Sequence, residues 1–83
     1  MNSAPTAPEL PAEDVRVGAT IREMRQMRGM TQDDLSRAAT MSRSYVANIE
    51  AGRKRPSAIA VARIAAALHV PQISIIALAD DAA

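Results

Sequence analysis

The chain has 83 residues, of which 48% are hydrophobic, and its formal net charge is +1. This length suits one compact domain with no second catalytic or ligand-sensing domain, and the lack of Cys excludes disulfides and thiolate metal ligands. Tyr45 is the one aromatic residue, so the core has to consist of Ala, Val, Ile, Leu and Met. This composition favours closely packed helices over a sheet, and we predict an all-α protein, a compact five-helix bundle.

Charge is unevenly distributed along the chain. All ten Lys and Arg residues lie between Arg16 and Arg63 with only four acidic residues, whereas the other five acidic residues lie in the flanks. A basic centre between acidic ends is typical of a polyanion-binding protein, although a solvated charged surface shows some of the same pattern. No apolar run approaches the about 20 residues of a membrane-spanning helix, and the start does not resemble a signal peptide, so we expect a cytoplasmic location.

The first 13 residues are predicted to form a flexible tail. Three prolines there remove backbone donors, and no periodic apolar pattern is present. Glu9 and Glu13, with no basic residue nearby, argue against insertion of this tail into a DNA minor groove. We therefore place the folded domain at residues 14–83.

Five helices are predicted within this domain. The first starts at Asp14, buries Val17, Ile21 and Met24, and ends near Gly29. Thr31 and Ser42 are N-caps for two short helices separated by a tight turn, a helix-turn-helix arrangement. The expected apolar residues of these two helices are Leu35, Ala38, Ala39, Val46 and Ile49, and Gly52 ends the second.

The last two helices follow a basic loop. Ser57 is predicted to cap the fourth helix, and Pro71 suits the first turn of a fifth helix at about 71–79. The apolar residues expected in the fourth helix are Ile59, Val61, Ile64, Ala65 and Leu68.

The string RQMRGMTQDDLSRAATMSRSYVANIEAGRKRPS, followed by VARIAAALHVP, resembles the Cro and lambda-repressor-like (XRE-type) helix-turn-helix family of bacterial and phage transcriptional regulators. The likeness covers about residues 17–78. One departure is Thr40, at or next to a turn position that usually carries Gly because its φ is positive. A β-branched residue is poorly suited to that conformation, so we expect a shifted or strained turn.

The resemblance implies that the third helix enters a DNA groove. With Val46 and Ile49 facing the core, its outer face carries the expected base contacts, Arg43, Ser44, Ala47 and Asn48. Arg43 suits a bidentate contact to guanine, Asn48 one to adenine, and Ala47 allows close approach or contact with a thymine methyl.

Contacts to the DNA backbone are expected from residues around the same helix. Gln32 matches a family glutamine that touches a phosphate and braces the recognition helix, while Ser42 serves as N-cap, phosphate donor or both. Tyr45 is expected mainly to pack, with its hydroxyl reaching a phosphate or base edge. The basic loop fits a phosphate clamp, with a plain solvated charge run as the alternative. The full set is Thr31, Gln32, Ser42, Tyr45, Arg53, Lys54 and Arg55.

Two further sets of residues are expected to be structural. The family resemblance places Arg25 and Glu50 at positions that form an internal ion pair, for which we expect intermediate burial. The C-terminal segment has more large apolar side chains than one side of a short helix can bury, so some are expected at a dimer interface, the alternative being closure of the monomer core. These residues are Ile73, Ile75, Ile76 and Leu78.

The leading functional hypothesis is a homodimeric regulator that binds a roughly palindromic operator on double-stranded DNA without a cofactor, as a repressor, a restriction-modification controller or an activator that touches RNA polymerase. The alternative is an antitoxin or another protein-binding module that uses DNA binding for autoregulation. An enzyme fits poorly, because the sequence has no Cys nucleophile, Gly-rich phosphate loop or HExxH motif, and His69 has no obvious acidic partner. We predict no catalytic or metal-binding residues.

Overall fold

A computed structural model describes residues 10–76, which form five α-helices and no strand. The predicted all-α, five-helix fold is therefore confirmed. None of these helices is long and apolar enough to cross a membrane. The helices are α1 (Ala12–Met27), α2 (Gln32–Ala38), α3 (Arg43–Glu50), α4 (Ala58–Leu68) and α5 (Ile73–Ile76).

The core lies between all five helices and consists of aliphatic side chains. α3 packs mainly against α1 and α2, while α4 packs on α2 and α1, and α5 packs on α1. Tyr45 contacts the core from its edge. The largest fully buried side chains are Ile21, Leu35, Val46, Ile49, Ile64, Leu68 and Ile75.

Three of the helices begin with the side-chain caps that the sequence predicts. The Oγ atoms of Ser42 and Ser57 accept from the amides of Tyr45 and Ala60 at 3.0 and 3.1 Å. Thr31 forms a reciprocal capping box with Asp34, and the hydrogen bonds from the Thr31 backbone and side chain lower the pKa of the Asp34 carboxyl. Each cap satisfies an amide that has no partner within its helix.

The first four helices all end in the same type of turn. In each, one residue adopts a left-handed φ, and the amide of the next residue donates to a carbonyl five positions earlier. This is the Schellman motif, which satisfies carbonyls at the end of a helix. The residues with positive φ are Gly29, Thr40, Gly52 and His69, with φ values of 69°, 57°, 80° and 58°.

Thr40 lies in the turn of the helix-turn-helix, where the sequence departs from the usual Gly. Its φ of 57° confirms that this position is left-handed, a conformation that costs a residue with a Cβ about 1–2 kcal/mol. Its amide donates to Arg37 O at 3.2 Å, and the next amide, that of Met41, donates to Ser36 O at 2.9 Å. The turn is therefore strained and not shifted.

Several sequence predictions about boundaries and burial are wrong. α1 begins at Ala12, two residues before the predicted start of the domain, and α5 begins at Ile73, after Pro71. Ala38 is exposed, and Ser36 is buried instead, with its hydroxyl satisfied by donation to the Asp33 carbonyl at 2.8 Å. The side chain of Ile59 in the first turn of α4 is 65% exposed. Residues 1–9 and 77–79 of the predicted segments lie outside the described residues.

Gly18 lies in the middle of α1, where glycine costs helix stability of about 1 kcal/mol relative to alanine. The structure gives the reason: a Cβ at this position would lie 2.1 Å from the backbone oxygen of Ile49 and 2.9 Å from that of Glu50. The end of α3 therefore approaches the backbone of α1 directly. Only glycine permits this packing distance.

We predict that Gly18→Ala destabilises the protein by about 3 kcal/mol, the upper end of the usual cost of overpacking, because α1 and α3 must separate to accept the methyl group. Chemical denaturation would measure this loss. Gly29→Ala is the matched control, because no atom beyond its chain neighbours lies within 4 Å of the added Cβ. The only cost should be the strain of a positive φ in alanine, a loss of about 1–2 kcal/mol in stability. A stabilised Gly18→Ala protein would contradict the proposed close approach.

Candidate nucleic-acid interface

The recognition helix α3 has the two-sided arrangement that the sequence predicts. Val46 and Ile49 are buried, whereas Arg43 and Ser44 at its first turn are exposed. Ala47 and Asn48 are half-buried. The four predicted base-contacting residues are thus all at least partly accessible to a ligand.

A shallow groove runs between the start of α2 and the outer face of α3. It is lined by Gln32, Arg43, Ser44 and Ala47, so the structure brings together three of the predicted base-contacting residues and the predicted phosphate-contacting glutamine. Within residues 10–76, Arg43 has no acidic partner within 4 Å. Its charge is therefore available for an external acceptor.

Arg22 is a basic residue at this surface that the sequence interpretation did not single out. It lines a second groove together with Gln32, Ala47 and Glu50, directly beside the first. The signal in the sequence was its position three residues before Arg25, which places both side chains on one face of α1. A cation from α1 thus extends the surface formed by α2 and α3.

Gln32 joins the start of α2 to the end of α3. Its Nε2 donates to Glu50 Oε1 at 3.1 Å, which agrees with the expected bracing of the recognition helix. Gln32 is half-buried, and it also lines the groove.

Tyr45 and Ser42 combine structural contacts with partial exposure. The Tyr45 ring packs on the core, and its hydroxyl oxygen accepts from the Ser57 amide at 3.3 Å, which links α3 to the start of α4. The packing role expected for Tyr45 is confirmed. Its hydroxyl proton remains able to donate, and Ser42, although it caps α3, is also exposed.

The basic loop after α3 is exposed, but its three cations differ in their partners. Arg53 Nε donates to Asn48 Oδ1 at 3.1 Å, and Arg55 Nε donates to Asp14 Oδ1 at 2.8 Å. The hydrogen bond to Asp14 also raises the pKa of Arg55. Lys54 has no acidic partner within 4 Å among residues 10–76.

The Asp14–Arg55 pair was not predicted. Asp14 is buried at the start of α1, and the side chain of Arg55 is 69% exposed. These residues are 41 positions apart, and neither belongs to a motif that indicates pairing. Only the packing of the loop after α3 against α1 brings them together.

Arg25 and Glu50 form the predicted internal ion pair. Arg25 Nε and Nη2 donate to the two carboxylate oxygens of Glu50 at 2.7 and 2.9 Å, and Nη1 donates to the Met30 carbonyl at 2.7 Å. The pair is buried rather than of intermediate burial, since the side chains are only 10% and 3% exposed. The hydrogen bond to Glu50 raises the pKa of Arg25 above its usual value.

The C-terminal isoleucines separate into a buried and an exposed group. Ile75 is fully buried in the monomer, so its predicted place at a dimer interface is wrong. Ile73 and Ile76 are 64% and 45% exposed, and Leu78 lies outside the described residues. Arg16 Nη2 donates to the Ile76 carbonyl at 3.2 Å and so attaches the end of α5 to α1.

Among residues 10–76, no three His, Cys, Asp or Glu side chains are arranged to hold a metal ion. His69 is exposed at the end of α4, as expected for a helix-terminal residue.

Comparison with protein families and curated sequences gives consistent matches. A family model for a helix-turn-helix domain matches residues 16–74. The chain is 28% identical over 65 residues to an uncharacterized HTH-type transcriptional regulator of Sinorhizobium fredii, covering 78% of this chain and 84% of that protein. It is 42% identical over 60 residues to the immunity repressor protein of Bacillus phage phi105, covering 72% of this chain but only 41% of that protein.

Solved structures show the same fold. The restriction-modification controller protein C.AhdI from Aeromonas hydrophila superimposes with a TM-score of 0.77 at 29% identity, covering 78% of this chain and 98% of that one. The clp gene regulator ClgR from C. glutamicum superimposes with a TM-score of 0.73 at 29% identity, covering 78% and 84%.

We predict that Arg25→Ala lowers the free energy of unfolding by about 3–5 kcal/mol, because it leaves the Glu50 carboxylate buried without its partner. Arg37→Ala is the control: its pair with Asp33 joins side chains that are 74% and 51% exposed, and should contribute about 0–1 kcal/mol. The double variant Arg25→Met with Glu50→Leu should be more stable than Arg25→Ala. Equal stability of Arg25→Ala and the parent in chemical denaturation would refute the role of the pair.

Proposed function

The chain belongs to the helix-turn-helix family of transcriptional regulators, and from this membership we propose that it binds a roughly palindromic DNA operator as a homodimer. The regulators of this family are not enzymes. Regulation would follow from occupancy of the operator, in the manner of a repressor or a controller protein, and would require no cofactor. Its place of action would be the cytoplasm, at the DNA.

The observation that carries this proposal is the groove between α2 and α3, with an arginine at the first turn of α3 that has no acidic partner among residues 10–76. In the proposed complex, Arg43 donates two hydrogen bonds to guanine, and Asn48 reads a second base. Ser44 and Ala47 border the same base edges. Since buried Val46 and Ile49 fix the inner face of α3, the face of the helix that carries these residues is set before DNA binds.

Residues around the groove are proposed to contact phosphates. The side chain of Arg55 is 69% exposed, so its Nη atoms are proposed to reach a phosphate while Nε stays bound to Asp14. Arg22 is added to the set because it lines the neighbouring groove. The other proposed backbone contacts are Thr31, Gln32, Ser42, Tyr45, Arg53 and Lys54.

A second copy of the chain is proposed to cover Ile73 and Ile76. These side chains form an exposed apolar pair on α5, and a two-fold interface uses the same patch on both subunits. Such a dimer places two recognition helices about 34 Å apart, one turn of DNA. Half-sites related by a two-fold axis match this geometry.

The operator can be identified by selecting bound duplexes from a randomised pool and sequencing them. We predict a palindrome for the parent and, for Arg43→Ala, loss of preference at one base pair in each half-site, at a cost of about 1–3 kcal/mol in affinity. Affinity should fall as salt rises, because phosphate contacts release counterions.

Arg28→Ala is the control for loss of charge, since Arg28 is exposed in the turn after α1 and does not belong to α3. It should keep the full site preference of the parent. Failure of the parent to retain any duplex at low salt would reject the proposal and leave the protein-binding alternative to be pursued.

The dimer is tested by measuring mass in solution. We predict that the parent is a dimer and that Ile73→Asp is a folded monomer, because the new carboxylates would be buried in the interface. Ile59→Asp is the matched control, since Ile59 on α4 is 65% exposed, almost the same as Ile73, but lies outside α5. A dimer that survives Ile73→Asp at micromolar concentration would exclude this interface.

A further inference from the structure

The turns that end the first four helices share one position, the residue after the left-handed one. At the end of α3 this residue is Arg53, and it is the one of the four that does not pack on the core. In the turns that end α1, α2 and α4, the residue after the left-handed one is apolar and packs on the core, namely Met30, Met41 and Val70. Such a contact commonly accompanies the Schellman motif. At the end of α3, the corresponding residue is an exposed arginine.

Two hydrogen bonds connect Arg53 to Asn48. The turn at Gly52 brings the Arg53 amide to the Asn48 carbonyl at 3.0 Å, and the side chains meet through Arg53 Nε and Asn48 Oδ1 at 3.1 Å. Because the backbone bond is part of the helix-ending turn, the arginine is held beside Asn48 before its side chain makes any contact. The side-chain bond then requires ordering of fewer torsions than a contact between distant residues would.

This contact determines which way the Asn48 amide faces. A primary amide can rotate by 180°, which exchanges its oxygen acceptor and its nitrogen donors at nearly unchanged shape. Arg53 Nε offers only a donor, so it selects the orientation with Oδ1 towards the loop. The Nδ2 donors and the second lone pair of Oδ1 are then left to bind a base edge, and the positions of donor and acceptor are fixed.

We propose that Arg53 is a positioning residue for sequence recognition, which fixes the amide orientation of Asn48 and thereby the base that Asn48 prefers. This inference rests on the proposed operator binding by α3. It assigns Arg53 a role beyond the phosphate clamp expected of a cationic loop. The base edge that Asn48 reads must present an acceptor to Nδ2, such as a purine N7.

Two substitutions of equal length separate this role from that of a charge. Gln keeps a donor, Nε2, at the position of the arginine Nε, but it also carries an acceptor, Oε1, that can pair with the reversed Asn48 amide. Met places a methyl group at that position and offers neither. Both Arg53→Gln and Arg53→Met remove the positive charge. Lys54→Met removes a neighbouring charge that has no acidic partner within residues 10–76.

Site selection and binding at several salt concentrations should be measured for the parent, these three variants and Asn48→Ala. We expect Arg53→Met to reduce discrimination by about threefold per half-site, the scale of one exposed hydrogen bond, at the base pair where Asn48→Ala also loses it. Arg53→Gln should keep only part of that discrimination, because its donor still pairs with Asn48 Oδ1 while its acceptor tolerates the reversed amide. All three charge-loss variants should bind more weakly to every sequence, and Lys54→Met should keep the full discrimination. The site preference of the parent in Arg53→Met, or the same loss of preference in Lys54→Met, would overturn the proposal.

A measurement without DNA distinguishes failure of this inference from failure of operator binding. NMR relaxation of the Asn48 side-chain amide should show restricted motion in the parent and in Arg53→Gln, and greater motion in Arg53→Met. The same motion in all three proteins would overturn the positioning role even if the parent selects an operator. If the parent selects none, the proposed function fails, and with it any effect of the fixed amide on recognition.

Discussion

The buried ion pair between Arg25 and Glu50 is the interaction on which the arrangement of the first three helices depends. The Arg25 guanidinium binds the Glu50 carboxylate and the Met30 carbonyl, and the same carboxylate accepts from Gln32. One cluster thus joins the end of α1, the turn before α2, the start of α2 and the end of α3. Burial of two charges is stabilising only when their hydrogen-bonding groups are satisfied, and here the surrounding helix ends supply those partners.

Local features of this fold could be predicted from the sequence, whereas the facing of short helices could not. The caps at Thr31, Ser42 and Ser57 and the left-handed turn at Thr40 depend on a few adjacent residues, so their signals are complete within the sequence. Ala38 and Ile59 were placed inside because they are apolar. Ala38 lies in α2, whose seven residues give too few turns to define a buried face. Ile59 lies in the first turn of the longer α4, off the face that Val61, Ile64 and Leu68 bury.

The site contacts that belong to a sequence motif could likewise be predicted. The contacts that arise only from packing between distant segments could not. The outer face of α3 and the Arg25–Glu50 pair followed from the helix-turn-helix resemblance and agree with the structure. The Asp14–Arg55 contact depends on the meeting of α1 with the loop after α3, which no local pattern indicates. In the sequence, the basic centre and the acidic flanks are separate. In the structure they meet, because Asp14 from the N-terminal flank binds Arg55 of the basic loop.

The loop that carries Arg53 is coupled to the stability of the fold through Gly52. A Cβ on Gly52 would lie 2.8 Å from Val15 Cγ2 and 2.9 Å from Val15 Cα, and its φ of 80° also favours glycine. The end of α3 therefore lies against α1 at two glycines. Gly18 of α1 meets the last residues of α3, and Gly52, just after α3, meets Val15 of α1. Because the same close approach positions both the core face of α3 and the cations that follow it, substitution of either glycine would alter stability and the DNA-facing surface together. Substitutions of exposed side chains, such as Arg43 and Arg53, are the ones that can separate recognition from folding.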